Sequence, residues 1–172
     1  LLNENATRAN IIKAMDKVFS MAKANDVVVL YYSGHGYEGG FRVYDTNLSY
    51  NEIREAMAKT KCKNKMIFAD ACFSGQLRSN NKNSTATESA KKANVMLFLS
   101  SRNDEVSIEN SAMKNGFFTT YLQKGLKGAA DKNEDRIITA KELFDYVHKN
   151  VIRISNNQQH PVLLKDYLNL QL

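Results

Sequence analysis

The chain has 172 residues, 43% of them hydrophobic and 24% charged, with a formal net charge of +6 at pH 7. That length suits one ordinary domain with a full core, and that composition excludes an intrinsically disordered chain. The lysines are scattered, as on a solvated surface rather than a nucleic-acid footprint, and no apolar run approaches the roughly 20 residues that cross a bilayer.

Elements alternate along the chain. Asn5 to Arg8 carries capping types, and Ile11, Ile12, Met15, Val18, Phe19 and Ala22 then recur at helical spacing. Val27 to Tyr32 is continuously β-branched or aromatic and predicts a strand buried on both faces, ending at Ser33-Gly34-His35-Gly36. Tyr37 to Asn47 is a Gly-containing loop with room for a small hairpin. Ser49 to Lys59 reads as a helix with Ile53, Ala56 and Met57 inward. Lys65 to Ala69 is a second buried strand, running into Asp70-Ala71-Cys72-Phe73-Ser74-Gly75. Residues 76–94 are rich in Ser, Asn, Thr and Lys, as in a mobile linker. Val95 to Leu99 is a third buried strand, Gly116 to Leu126 and Ala140 to Val151 are helices, and Pro161 to Leu164 is a last strand. Buried strands separated by helices imply an α/β fold, a mostly parallel sheet with helices on both faces.

Ligands of such sheets bind at the carboxyl ends of the strands. One strand delivers His35 there and the next delivers Cys72. A thiolate nucleophile beside an imidazole that holds and returns the proton is the pairing needed for acyl transfer. Gly34, Gly36 and Gly75 allow close backbone approach, and the amides of Gly36 and Cys72 are the natural donors to a developing oxyanion. Either residue alone would read as structural; the two motifs at two strand ends carry the assignment.

Those blocks, Tyr32-Ser33-Gly34-His35-Gly36 and Asp70-Ala71-Cys72-Phe73-Ser74-Gly75, resemble the two signatures of the caspase-like cysteine peptidases, nearest to the metacaspase and bacterial caspase-homologue branch. The resemblance runs from the helix near Thr7 to the strand near Leu164, so residues 1–172 read as one caspase-like catalytic domain. It implies a caspase-like α/β/α sandwich with a mostly parallel central sheet, a Cys72–His35 dyad, and an oxyanion hole from the Gly36 and Cys72 amides. Where the caspase signature has Gln two residues before the nucleophile, this chain has Asp70. Such domains open with a strand, a helix and a strand before the point where this chain starts. That segment was cleaved off, is supplied as a separate partner chain, or was never present. Many metacaspases also carry an acidic insertion after the His block, linked to calcium activation. Here Tyr37 to Asn47 holds only Glu38 and Asp45, so no cofactor is required, and calcium is possible but not implied.

Asp70 lies two residues before Cys72 and so on the same side of an extended chain. A carboxylate there can take a guanidinium through two hydrogen bonds. By the resemblance, Asp70 and Ser33 match pocket positions for a basic residue. The expectation is an endopeptidase acting on proteins or peptides, cleaving after Arg before Lys. Ser100, at the end of the third strand, is expected to contact substrate, and Arg102 and Asp104 after it either line the cleft or form a charged loop. Within 76–94, Arg78, Lys82, Lys91 and Lys92 are residues such a pocket accepts, which predicts a self-processing zymogen. The alternatives are an inactive caspase-like adaptor and a legumain- or gingipain-like hydrolase of other specificity.

Asp131, Asn133, Asp135, Ile137 and Glu142 match EF-hand ligand spacing, but Arg136 stands where that loop turns on Gly. The plainer reading is a polar turn with Thr139 and Glu142 as a capping box, and no metal site is assigned. Cys62 reads as an incidental surface thiol, His148 as a partly exposed helix residue, and His160 as shaping a strand start. Two cysteines mildly favour a reducing compartment such as the cytoplasm. No signal peptide is visible, but without an initiating Met the N-terminus reads as trimmed, which leaves secretion open. No membrane or nucleic-acid partner is expected.

Overall fold

A computed structural model of the chain describes residues 1–37, 39–72, 95–102, 105, 107–110 and 115–164. The apolar strands assemble at the centre, where backbone groups find partners on both sides. Strands β1 (Val27–Tyr37), β4 (Asn64–Cys72) and β5 (Val95–Leu99) lie side by side and parallel. Antiparallel strands complete the edges: β2 (Gly40–Arg42) and β3 (Asn47–Ser49) beyond β1, and β8 (Val162–Leu164) beyond β5. The six-stranded order is β3-β2-β1-β4-β5-β8, so the sheet is parallel in the middle and mixed as a whole. Glu109–Asn110 (β6) and Asn115–Gly116 (β7) form a separate two-stranded ribbon.

Helices cover both faces. Helix α1 (Arg8–Met21) starts at Thr7, whose side chain accepts the Asn10 N–H, and α2 (Tyr50–Lys59) starts in a Ser49–Glu52 capping box. Met15 and Phe19 of α1 and Ile53, Ala56 and Met57 of α2 pack on Val28, Ile67, Ala69 and Ala71. On the opposite face, α3 (Phe117–Lys124) and α4 (Ala140–Ile154) bring Phe118, Leu122, Leu143 and Val147 onto Met66, Phe68, Met96 and Phe98. Each Val, Leu, Ile, Phe or Met among them, fully buried, contributes roughly 1.5–3 kcal/mol. Among the described residues no helix is long and apolar enough to cross a membrane.

Three expectations are corrected. Val27 to Tyr32 is not buried on both faces: Val28 is buried, but Val27, Val29 and Tyr31 are exposed. Each residue of 27–35 is paired with β4, while on the other side, among the described residues, β1 pairs only through Gly36 and Tyr37 with β2. The layer of α3 and α4 packs on β4 and β5, and it meets β1 through the Tyr31 hydroxyl, which reaches Thr119. Cys62 is not a surface thiol. It is buried, its Sγ 2.7 Å from the Asp26 carbonyl and 3.0 Å from that of Asn64. Val18 of α1, expected inward, is exposed because α1 covers the sheet through Met15 and Phe19 instead.

Candidate active site

The register of β1 on β4 brings the two motifs together. Ser33 stands opposite Asp70 and His35 opposite Cys72. Neighbouring strands lie about 4.8 Å apart, and alternate residues share a face. Residues 33 and 35 of β1 and 70 and 72 of β4 therefore occupy one face of the sheet, at its carboxyl end. That face is covered over Asp70, which is buried, and open over Ser33 and His35, which are exposed. The candidate site thus lies at the edge of the helical layer, with Ser33 and His35 on its exposed side.

The backbone at His35 is held from below. The Tyr32 hydroxyl shares its proton between the carbonyls of His35 (2.9 Å) and Arg42 (2.5 Å), and its ring stacks on Phe41. Burial pushes this phenol up to about 12. A Cβ on Gly34 would lie 2.6 Å from the Tyr32 oxygen, so glycine is required there by the close approach. Gly36 is buried opposite Phe41 of β2. A mainly apolar cavity of about 550 Å³, lined by Ile11, Met15, Leu30, Tyr32 and Phe41 among others, reaches His35.

Cys72 is the last residue of β4, and β5 pairing stops earlier, at Ala69 opposite Leu99. Ser100 continues the stitching. Its N–H donates to the Ala69 carbonyl (2.9 Å), and its hydroxyl accepts from the Ala71 N–H (3.2 Å) and donates to the Ala71 carbonyl (3.3 Å). Ser100 was expected to touch substrate, but it is completely buried and braces the residue before Cys72. Arg102 is exposed and lies near Glu105, with 3.8 Å between charged atoms. Asp104, Arg78, Lys82, Lys91 and Lys92 lie outside the described residues, as do Glu38 and all of 76–94.

Asp70 is buried and closely held. Its Oδ1 accepts from the Ser107 hydroxyl (2.5 Å), and its Oδ2 accepts from the Thr119 hydroxyl (2.5 Å) and the Thr119 N–H (3.3 Å). Helix α3 has Gly116 at its N-cap and no cap from its own chain neighbourhood, so Asp70 supplies a carboxylate at the positive end of that helix from a neighbouring strand. With two donors on Oδ2, the carboxylate has no room for a guanidinium gripping both oxygens, as the sequence had suggested; one acceptor direction remains on Oδ1.

Sequence reasoning missed Ser107 and Thr119, which hold Asp70, and Tyr31 and Gln159, which stand behind those two. Their one signal is a polar residue, Thr119, at a buried position of an apolar helix run. The other histidines do other work. His160 bonds Glu105 through its ring (2.7 Å) and its N–H (2.7 Å), tying the loop after β5 to the start of β8. His148 is half-buried on α4, and burial holds it below the usual imidazole range. Among the described residues no three His, Cys, Asp or Glu side chains group as metal ligands. In the 131–142 turn, Asp131 accepts the Arg136 N–H (2.9 Å), and Glu142 joins Thr139 in a capping box.

Comparison with known proteins bears on the whole chain. The family model described as the caspase domain matches residues 2–169. No curated protein matches the sequence. Among solved structures, a protein from Geobacter sulfurreducens aligns over 99% of this chain and 79% of its own, with TM-score 0.67 and 19% identity. Caspase-1 from Spodoptera frugiperda aligns over 98% of this chain and 71% of its own, with TM-score 0.67 and 19% identity. At such identity the two structures speak for the fold: an α/β sandwich of the caspase kind.

Proposed function

Because this chain belongs to the caspase-domain family of peptidases, we propose that it is a cysteine endopeptidase cleaving proteins or peptides after basic residues, Arg before Lys. The observation that carries this reading is the parallel register setting His35 opposite Cys72 at the open end of the sheet. In the first step the Cys72 sulfur attacks the scissile carbonyl and forms a thioester. His35 holds the thiol proton and delivers it to the departing amine. Water then adds to the thioester, giving its proton to His35, and the Cys72 thiol leaves. The Gly36 and Cys72 amides would hold the oxyanion in both steps.

The basic preference rests on Asp70 and Ser33, opposite one another on adjacent strands. Arg carries five donors in a rigid plane, so one guanidinium can bond the free side of Asp70 Oδ1 and the Ser33 hydroxyl together. Lys offers one point charge. Arg78, Lys82, Lys91 and Lys92 are then candidate self-cleavage positions, and the chain a zymogen.

Active-site-directed probes with Arg, Asn or Asp at the first position test this directly. The Arg probe should label Cys72 fastest, and Cys72→Ala should lose both labelling and peptide turnover. Retained turnover in Cys72→Ala would refute the nucleophile, and faster labelling by the Asp or Asn probe would refute the pocket. Intact mass of wild type and Cys72→Ala, incubated separately, tests processing: cuts after a basic residue within 76–94 should appear in the wild type alone.

A further inference from the structure

We infer that Ser107 and Thr119 are positioning residues that set charge selectivity in the cleavage pocket by fixing the Asp70 carboxylate. The inference rests on the reading of Asp70 as the pocket carboxylate.

Asp70 has no cation paired with it among the described residues. Its buried carboxylate is held instead by three neutral donors: the Ser107 hydroxyl on Oδ1, and the Thr119 hydroxyl and N–H on Oδ2. Neutral donors orient a carboxylate without cancelling its charge, so the charge stays available to a basic group arriving from the cleft. A resident Arg or Lys would have cancelled it. Three of about four acceptor directions are filled, and the remaining one is on Oδ1. Where Oδ1 aims is thus decided by Ser107 and Thr119.

The two hydroxyls are themselves fixed. Each has one proton, and each spends it on Asp70, so each can only accept from its other neighbour. The Tyr31 hydroxyl therefore donates to Thr119 Oγ1 (2.7 Å). Behind Ser107 stands the Gln159 amide, fully buried, whose Nε2 is 3.5 Å from the Ser107 oxygen and 2.9 Å from the Ser100 carbonyl, while its Oε1 accepts the Ile108 N–H (3.0 Å). Donor chains of this kind polarise one another in one direction, here toward Asp70. Gly116 completes the cage: a Cβ there would lie 2.8 Å from Asp70 Oδ2. Tyr31 belongs to the exposed strip of β1 that leads to Ser33 and His35, so one end of the network reaches the cleft.

A purely structural role, in which Asp70 only caps α3, makes a different forecast. The discriminating measurement is kcat and KM on matched peptides with Arg, Lys or norleucine at the cleaved position. The proteins compared are wild type, Thr119→Val, Thr119→Ser and Ser107→Ala, each with a thermal melt. Thr119→Val keeps shape and the N–H but loses the hydroxyl. It should lower kcat/KM for the Arg and Lys peptides about tenfold, mostly through KM, as expected for a lost hydrogen bond to a charged group. Norleucine turnover should hold within about twofold, and Thr119→Ser should restore the Arg-to-norleucine ratio. Ser107→Ala should shift that ratio the same way by a smaller factor. An unchanged ratio in Thr119→Val, or equal loss on charged and neutral peptides, overturns the inference. Should Thr119→Val fail to fold, an unchanged ratio in Ser107→Ala overturns it. A wild type without preference for Arg over norleucine would instead refute the reading of Asp70 itself, and the inference with it.

Discussion

Strands β1 and β4 run side by side in register over nine residue pairs, and each presents a run of apolar residues. Their surroundings are opposite. β4 has strands on both sides and helices on both faces, and Met66 to Ala71 are all buried. Among the described residues, β1 has β4 on one side, pairs on the other only at its last two residues, and turns Val27, Val29 and Tyr31 to solvent. An apolar β-branched run therefore reports a strand; it does not report how much of that strand is covered, since cover depends on what packs from elsewhere in the chain. The difference also builds the site. Asp70 sits on the covered strand, and His35 sits on the open one.

The sharpest way to break this comparison is to truncate equivalent positions. Met66 and Val29 are opposite one another, at 0% and 47% exposure. Met66→Ala should cost about 2–5 kcal/mol by urea unfolding, and Val29→Ala less than about 0.5–1 kcal/mol. Equal losses would mean that β1 is covered in solution. Next in size is Ser100→Ala, which strands the Ala71 N–H at the covered end of β4. A loss of about 1–3 kcal/mol is expected, together with slower labelling of Cys72 by an Arg-directed probe. Unaltered labelling would show that Ser100 holds the fold without holding the site.

On the open strand, Tyr32→Phe removes the hydroxyl beneath His35 and Arg42. It should cost about 0.5–1.5 kcal/mol and slow turnover more than it lowers the melting temperature would explain; turnover tracking stability alone would count against a role in placing His35. Smallest is Glu52→Gln in the α2 cap. Burial alone would raise the Glu52 pKa, but hydrogen bonds from the Ser49 hydroxyl and N–H, with Arg8 alongside, bring it below its ordinary value. A depressed carboxylate stabilises the fold above its unfolded pKa, near 4.5, and that contribution is lost as pH falls through the folded value. Glu52→Gln should therefore flatten stability against pH in the acid limb and leave the limb above neutrality alone. A parallel displacement of the whole curve would show that the hydrogen bonds matter and the charge does not.

Local signals in the sequence determined a good deal of this protein. Helical spacing and the capping pairs Ser49–Glu52 and Thr139–Glu142 marked α2 and α4, because a cap is a contact between residues three apart. The run Val95 to Leu99 marked β5 to the residue, because every position in it is buried and apolar. Gly-bracketed His35 and the block ending at Cys72 marked the two strand ends and the family. Other features were decided only by tertiary structure. Pairings across many residues set the register of His35 on Cys72, the antiparallel edge at β8 and the open face of β1. The partners of Asp70 come from positions 37 and 49 residues away, and Gln159 joins Ser100 from 59 residues away. No spacing rule spans such separations. A buried carboxylate takes whichever donors the packed helix and loop bring to it, and those exist only once the chain has folded.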